Sequence, residues 1–474
     1  MKRLLTYTFL LLPFYTPAQL VSQRLQKAFQ QFEADSQLRH AISSLYVVDG
    51  ATGQVVFDKN SQIGLAPAST QKVITSVTAF ELLGKDYRYK TEFRLMNPIY
   101  SNNVTADGLA VVGYGDPTFG SWRFNNTKAD VILEKVKQTL INKNVSNIAN
   151  LNVFADDSKW GRHLLPGGWI WDDIGNYYGA GASSINWREN QYDIYLSSGK
   201  LEGDTCKIVK TYPELLYFSQ KLFCEVVTGL SGSGDNAYVY QPPYSVYGFI
   251  RGTIPPRENE FKISASISEP ASQFAMELGK YFYCCRHNEG RQFYSATSFV
   301  NRFWKTVHSV TDTIYTHYSP SLDSIIYWFN KKSINLYGEA LVKTFAYEKQ
   351  GFSSTDSGVA IVKRFWKEKG LDEDELNISD GSGLSPLNRV TTHAQVEILK
   401  FAKKRDWFPY FYKSLPDYNG MTMKSGTISD VKGFCGYHKA KNGKEYIFSF
   451  LVNNYSGKTS ALVTKMFKVL DELK

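Results

Sequence analysis

The sequence predicts an α+β, multidomain protein. The two ends of the chain build one mixed domain, and a β-rich middle interrupts it. Three observations lead there. The chain has 474 residues, 43% apolar and 21% charged, a globular composition; at roughly 100–200 residues per domain it is long enough for several. Both ends mix helical and strand patterns, with helical periodicity dominating from about residue 324. Between residues 147 and 270 short strand-like runs prevail, with Gly/Ser/Pro-rich breaks at 229–236 and 241–244. No internal repeat or low-complexity segment is present.

Taken in order, residues 24–34 read as a helix. Ser44–Val48 and Gln54–Phe57 are strand-like runs around Asp49-Gly50-Ala51-Thr52-Gly53, a hairpin signal. A helix is expected from Ser69 to Leu83, ended by Gly84. Residues 86–125 are β-like and Gly-rich. Val131, Leu133, Val136 and Leu140 place a helix over 127–142. After the β-rich stretch, 271–283 return to helix. From about 324 onward helices dominate, at 334–348, 355–369 and 391–404. Two strands follow near 432–439 and 445–452, then a helix near 459–472.

The N-terminus points to export. Lys2 and Arg3 precede the apolar run Leu4–Phe14, and Thr16-Pro17-Ala18 offers small residues for a cut after Ala18. The run is too short to span a bilayer, which takes about 20 apolar residues. No cysteine follows it to carry a lipid. Losing Lys2 and Arg3 with the leader lowers the net charge from +9 to +7. In an exported protein that charge favours anionic wall polymer or membrane surface over nucleic acid. Export also permits disulfides. Cys206 and Cys224 are spaced for a local pair, Cys284 and Cys285 are adjacent, and Cys435 stands apart; buried free thiols are the alternative. There is no Cys-x-x-Cys, and the seven histidines lack His-Glu-x-x-His spacing, so neither a metal nor a cofactor is expected.

Three short motifs carry chemistry. In Ser69-Thr70-Gln71-Lys72, Ser and Lys three apart share one helical face. A serine hydroxyl needs a base to become a nucleophile, and a lysine serves if burial or a nearby cation lowers its pKa. The helix N-terminus adds N–H donors for an oxyanion. Ser197-Ser198-Gly199-Lys200 has the same spacing but sits in a Gly/Ser turn. In Ser333-Ile334-Asn335 the hydroxyl can relay a proton and the amide can bind a substrate carbonyl; the plain alternative is a helix N-cap. Ser101-Asn102-Asn103 and Ser184-Ile185-Asn186 fit the same pattern. In Lys424-Ser425-Gly426-Thr427, an edge-strand Lys with two hydroxyls suits a carboxylate, and Gly426 admits a close ligand backbone. The Thr427 N–H would be the second oxyanion donor.

The order Ser-x-x-Lys, Ser-x-Asn, Lys-[Ser/Thr]-Gly is that of penicillin-binding proteins and class A β-lactamases. The flanking residues of the first two motifs, Pro67–Thr75 and Ser333–Leu341, resemble the class C low-molecular-mass penicillin-binding proteins, the D-alanyl-D-alanine carboxypeptidase/endopeptidases. So do Val111–Pro117, Phe154–Ser158, Tyr178-Gly179-Ala180 and Asp380–Ser385. The resemblance runs from about residue 40 to the C-terminus. Lys72 to Ser333 is 261 residues and Ser333 to Lys424 is 91; a β-lactamase lacks the large first gap. Two departures stand out: Ile334 replaces the usual Asp, and Ser425 the commoner Thr, which keeps the hydroxyl.

The resemblance implies a penicillin-binding-protein/β-lactamase-like transpeptidase domain, an antiparallel sheet flanked by helices, interrupted by two nested β-rich inserts. The expected ranges are a leader over 1–18, the catalytic domain over 19–84 and 272–474, one insert over 85–190 and 245–271, and a second over 191–244. It implies a serine D-Ala-D-Ala carboxypeptidase, with DD-endopeptidase activity possible in principle, acting on peptidoglycan stem peptides and acylated by β-lactams. Ser69, Lys72, Ser333 and Asn335 would be catalytic. Lys424, Ser425, Gly426 and Thr427 would bind substrate. In this family an Asp of the first insert recognises the free amine of meso-diaminopimelate; Asp156 matches best, with Asp157 beside it. Asp380–Ser385 would pack behind the site, and the location would be periplasmic or loosely membrane-associated. The rival readings are a serine β-lactamase and a non-catalytic binder of wall peptide.

Overall fold

The computed structural model describes residues 17–98, 108–145, 148–161, 163–215, 221–245, 247–283, 293–295 and 308–474. The leader up to residue 16, and Cys284 and Cys285, lie outside the described residues. Helix α1 (Pro17–Glu33) leads into the hairpin β1 (Ile42–Asp49) and β2 (Val55–Lys59). Asp49 closes its turn, accepting from the N–H groups of Ala51 and Thr52 at 2.9 and 2.8 Å. A 3₁₀ turn, Ala68–Gln71, opens helix α2 (Lys72–Leu83). Every residue of α2 from Lys72 to Phe80 is buried, as expected of a helix packed on all sides.

The chain then leaves this domain. Strands β3 (Lys90–Pro98), β4 (Gly108–Gly113) and β5 (Asn152–Asp156), with helix α3 (Ala129–Asn142) between the last two, begin a second sheet. A short helix α4 (Trp171–Ile174) precedes six strands: β6 (Gln191–Ser197), β7 (Lys207–Tyr212), β8 (Lys221–Thr228), β9 (Asn236–Tyr240), β10 (Tyr247–Ile254) and β11 (Phe261–Ser266). Helix α5 (Pro270–Tyr283), β12 (Phe293–Ser295) and β13 (His308–Tyr318) return to the second sheet, whose order is β12-β5-β4-β3-β13.

This differs from the expected insert boundaries in two places. The described residues of 272–318 do not rejoin the catalytic domain. Strand β13 pairs with β3, and Ala271, Phe274, Leu278 and Phe282 of α5 share a core with Phe93, Leu109 and Trp187. Nor does the stretch 247–267 belong with the first insert. Ile250, Ile254, Ile263 and Ile267 share one core with Tyr192, Ile194 and Val226, so β6 to β11 form a single unit of two three-stranded sheets. Burial of apolar side chains decides membership here, and a strand or helix pattern does not say which core it joins.

The first domain resumes with α6 (Leu322–Lys331), α7 (Asn335–Gln350) and α8 (Thr355–Glu368). The short strands β14 (Leu376–Asn377) and β15 (Arg389–Val390) follow, then α9 (Thr392–Lys403) and α10 (Phe408–Ser414). Strands β16 (Asp417–Tyr418), β17 (Met421–Ile428), β18 (Val431–Lys439) and β19 (Glu445–Asn453) complete a six-stranded sheet, order β16-β17-β18-β19-β1-β2, and α11 (Thr459–Leu470) follows. Neighbouring strands of this sheet run antiparallel. One face carries α1 and α11 through Leu25, Phe29, Phe448, Phe450, Leu462 and Met466. The other carries the helical layer of α2, α6, α7, α8 and α9. Burying both faces of a sheet under helices is the usual solution for strands as apolar as β18 and β19.

Cys206, Cys224 and Cys435 are free thiols; the local Cys206–Cys224 pair does not form. Ser198 of the second Ser-x-x-Lys copy donates its hydroxyl to the Pro255 carbonyl at 2.7 Å, in a turn after β6.

Candidate active site

The site lies where β17 passes the 3₁₀ turn that begins α2. A Cβ on Gly426 would stand 2.6 Å from the Pro67 carbonyl oxygen and 2.8 Å from the backbone nitrogens of Ser69 and Thr70. Only glycine lets the strand approach this closely. Strand β16 pairs with β17 only at Met421 and Thr422, so β16 does not cover the stretch Lys424–Thr427. Two residues that carry side chains adopt left-handed backbone angles here: Ala68, just before the serine, at φ 46°, and Ser333 at φ 55°. Each costs on the order of 1–3 kcal/mol, and such strain concentrates at functional sites.

Lys72 is fully buried. Its Nζ lies 3.0 Å from Ser69 Oγ, 2.7 Å from Asn335 Oδ1 and 2.7 Å from the Ser382 carbonyl oxygen. An ammonium has three hydrogens and would donate to all three. A neutral amine has two, and its lone pair then accepts from the one partner that can donate, the Ser69 hydroxyl. Burial, and next the charge of Lys424, hold the Lys72 pKa well below the ordinary lysine value, against the pull of Asp380 and Glu339. The geometry admits both forms, and burial with the Lys424 charge shifts the balance toward the neutral base.

Ser333 and Lys424 face this pair. Lys424 Nζ donates to Ser333 Oγ at 3.1 Å and to the Ser425 carbonyl at 2.8 Å. It is 1% exposed, and burial lowers its pKa to about 7. Asn335 also donates from Nδ2 to the Tyr178 carbonyl at 2.8 Å, tying the insert to the start of α7. The motif residues Ser69, Lys72, Ser333, Asn335, Lys424, Ser425, Gly426 and Thr427 are therefore brought together from three distant stretches of chain.

Behind them, Asp380 is fully buried. Its carboxylate accepts from the N–H groups of Gly383 and Ser385 at 2.8 and 2.7 Å, from Asn388 Nδ2 at 2.9 Å and from Trp169 Nε1 of the insert at 2.9 Å. The turn it holds supplies the Ser382 carbonyl to Lys72. Glu339 sits beside it, its pKa raised to about 8 by burial and by Asp380.

Over the site lies a cavity of about 400 Å³, lined in part by Ser69, Ser333, Asn335, Thr427, Asp173 and Tyr178. Asp156 does not line it. It ends β5, paired through Val112 with the inner strand β4, and its Oδ1 accepts from the Ser158 N–H at 3.1 Å. The acidic residue that does line the cavity is Asp173 of α4, whose pKa burial raises to about 6. The sequence offered no signal for Asp173, although the nearby Tyr178-Gly179-Ala180 was among the resembling segments. Lys432 was missed as well. It faces Thr427 across the β17–β18 ladder, and its Nζ donates to Thr427 Oγ1 at 2.7 Å. Burial lowers its pKa to about 8.

Comparison with known proteins agrees with this architecture. Residues 25–417 match the model of the D-Ala-D-Ala carboxypeptidase 3 (S13) family. The chain is 26% identical over 455 residues to the D-alanyl-D-alanine carboxypeptidase of Actinomadura sp. (strain R39), covering 89% of this chain and 80% of that protein. It is 21% identical over 433 residues to D-alanyl-D-alanine carboxypeptidase DacB of Haemophilus influenzae, covering 85% and 83%. The crystal structure of penicillin binding protein 4 (dacB) from Haemophilus influenzae superposes with a TM-score of 0.73 at 18% identity, over 97% of this chain and 99% of that one. With the family model spanning most of its length, this chain belongs to the D-Ala-D-Ala carboxypeptidase 3 (S13) family.

Proposed function

We propose that this protein is a serine D-alanyl-D-alanine carboxypeptidase, with DD-endopeptidase action on the same acyl-transfer chemistry, working on peptidoglycan stem peptides. The observation that carries the reading is Lys72 Nζ held 3.0 Å from Ser69 Oγ while Asn335 and Ser382 occupy its other hydrogens.

In this reading a peptide ending in D-Ala-D-Ala enters with its carboxylate toward Lys424, Ser425 and Thr427. Lys432, bound to the Thr427 hydroxyl, adds a second cation to that end. Neutral Lys72 takes the Ser69 proton, and Ser69 attacks the penultimate D-Ala carbonyl. The oxyanion sits between the backbone N–H groups of Ser69 and Thr427. Ser333 passes a proton to the leaving amine, Asn335 orients the peptide, and water hydrolyses the acyl-enzyme. β-Lactams stop after the first half of this sequence. Asp173, the acidic residue among those lining the cavity, is placed to meet a basic group on the stem peptide.

The catalytic domain then comprises residues 19–84 and about 319–474, with the insert between them and the unit of β6 to β11 nested inside it. The expected leader over 1–18 supports export, with action outside the cytoplasmic membrane as part of this proposal; no helix among the described residues is long and apolar enough to cross one.

Labelling with a fluorescent penicillin tests the assignment. Wild type should form a stable adduct and Ser69→Ala none, with D-Ala release falling on the order of 10⁶-fold. Equal labelling of the two would overturn it. Rapid release of hydrolysed penicillin would instead mark a β-lactamase.

A further inference from the structure

A second cleft, of about 690 Å³, opens between α3 and the nested unit, away from the motif residues. Two aromatic rings line it in the open: Trp122 is 50% exposed and Tyr212 58%. Lys128, Asp130, Asp193 and Lys262 also line it.

The charges in the cleft are already balanced. Arg188 pairs with Glu277 at 2.9 Å and stacks on the Tyr212 ring at 5.4 Å. Lys262 pairs with Asp193 at 3.2 Å, and Asp193 also accepts from Ser264 Oγ at 2.7 Å. An anionic polymer calls for unpaired cations, and here two of the three cations are spoken for. The lining suits a neutral ligand with apolar faces and many hydroxyl and amide groups.

We infer that this cleft binds the amino-sugar strand of the wall polymer, with the apolar faces of its pyranose rings on Trp122 and Tyr212 and its hydroxyl and acetamido groups on the polar lining. This rests on the peptidoglycan reading above, which supplies the polymer to which the sugars belong. The two sites are structurally joined. Arg188 lines the cleft, and the next residue, Glu189, accepts from Tyr337 Oη of α7 at 2.8 Å. Tyr337 lies two residues beyond Asn335. Ser121 and Arg123, flanking Trp122, hold the same carboxylate at 2.7 and 2.8 Å.

The test measures binding of chitotetraose, and of glycan strands stripped of peptide by an amidase, to wild type and Trp122→Ala. Tryptophan fluorescence and calorimetry are the readouts. Wild type should bind both sugars, and Trp122→Ala at least tenfold more weakly. Trp122→Ala should release D-Ala from a free pentapeptide at the wild-type rate but from intact wall several-fold more slowly. The inference is overturned if wild type binds neither sugar, if Trp122→Ala binds them as wild type does, or if an anionic polymer such as teichoic acid competes them away. If wild type binds sugar yet releases no D-Ala, the peptidase reading fails while the sugar site stands.

Discussion

Replacing Gly426 with alanine tests whether the gap between β17 and the serine turn sets the rate. The added Cβ would sit 2.6 Å from the Pro67 oxygen and 2.8 Å from the nitrogens of Ser69 and Thr70, where ordinary contact starts at 3.4 Å. The strand and the turn must therefore separate by about 0.6–0.8 Å, and the opposing atoms are backbone, which cannot rotate away. Overpacking of this kind costs about 1–3 kcal/mol of stability, or several degrees in Tm at about 2–4 °C per kcal/mol. The larger effect falls on chemistry. The displaced nitrogen of Ser69 is one of the two proposed oxyanion donors, and losing one such donor costs about 10²–10³ in rate. Stopped-flow acylation by a fluorescent penicillin should slow by about 10², with a modest drop in Tm. Gly167→Ala, where nothing lies within 4 Å of the added Cβ, should change neither by more than about 0.5 kcal/mol. Acylation of Gly426→Ala within threefold of wild type would refute the reasoning.

Other outcomes follow from the same geometry. Lys72→Arg replaces a base of lowered pKa with a group that stays charged; acylation should fall by about 10²–10⁴, and a smaller loss would remove Lys72 as the base. Acylation by wild type should rise with pH as Lys72 loses its proton. Because the Lys424 charge lowers the Lys72 pKa, Lys424→Met should move that limb to higher pH, and an unmoved limb would show that the two lysines are uncoupled. Lys432→Met should raise KM for a free D-Ala-D-Ala carboxylate about tenfold while leaving the amidated peptide unchanged; equal effects on both would remove Lys432 from carboxylate recognition. Glu339 has a folded pKa of about 8 against an ordinary 4.5. The native state therefore holds a proton the unfolded chain has lost, and stability falls as pH rises between those values, by up to about 1.4 kcal/mol per unit. Glu339→Gln should flatten that slope in denaturant titrations from pH 5 to 8, and an identical slope would refute the shift.

Some of this site was readable because its chemistry is local. Ser69 and Lys72 are three apart, so any helix beginning there places them on one face, and Gly426 had to be small wherever a backbone came close. The ordered motifs also named residues separated by 261 and 91 positions that only a shared cleft would explain. Four helices of the C-terminal stretch were legible from periodicity to within about two residues, among them 355–369, observed as Thr355–Glu368, and 391–404, observed as Thr392–Lys403; the first helix was expected over 24–34 and runs from Pro17 to Glu33.

Elsewhere the pattern was right and its destination was not. Residues 271–283 looked helical and are helical, yet their apolar stripe packs on the insert and not on the catalytic sheet. The partner of β13 is β3, more than 200 residues earlier.

Taken alone, the sequence marked the three motifs proposed to carry the nucleophile, the base and the anion-binding groups, and the existence of an interrupted α+β chain. These follow from spacing within a few residues and from motif order. Only the tertiary structure decided where the residues of the insert lie. It turned Asp156 into a local strand end and brought Asp173 into the cavity. It set Lys432 against Thr427, depressed both active-site lysines by burial, and balanced the charges of a second, aromatic cleft. Each of these depends on which distant surfaces exclude water from one another. That is a property of packing, and no short window of residues encodes it.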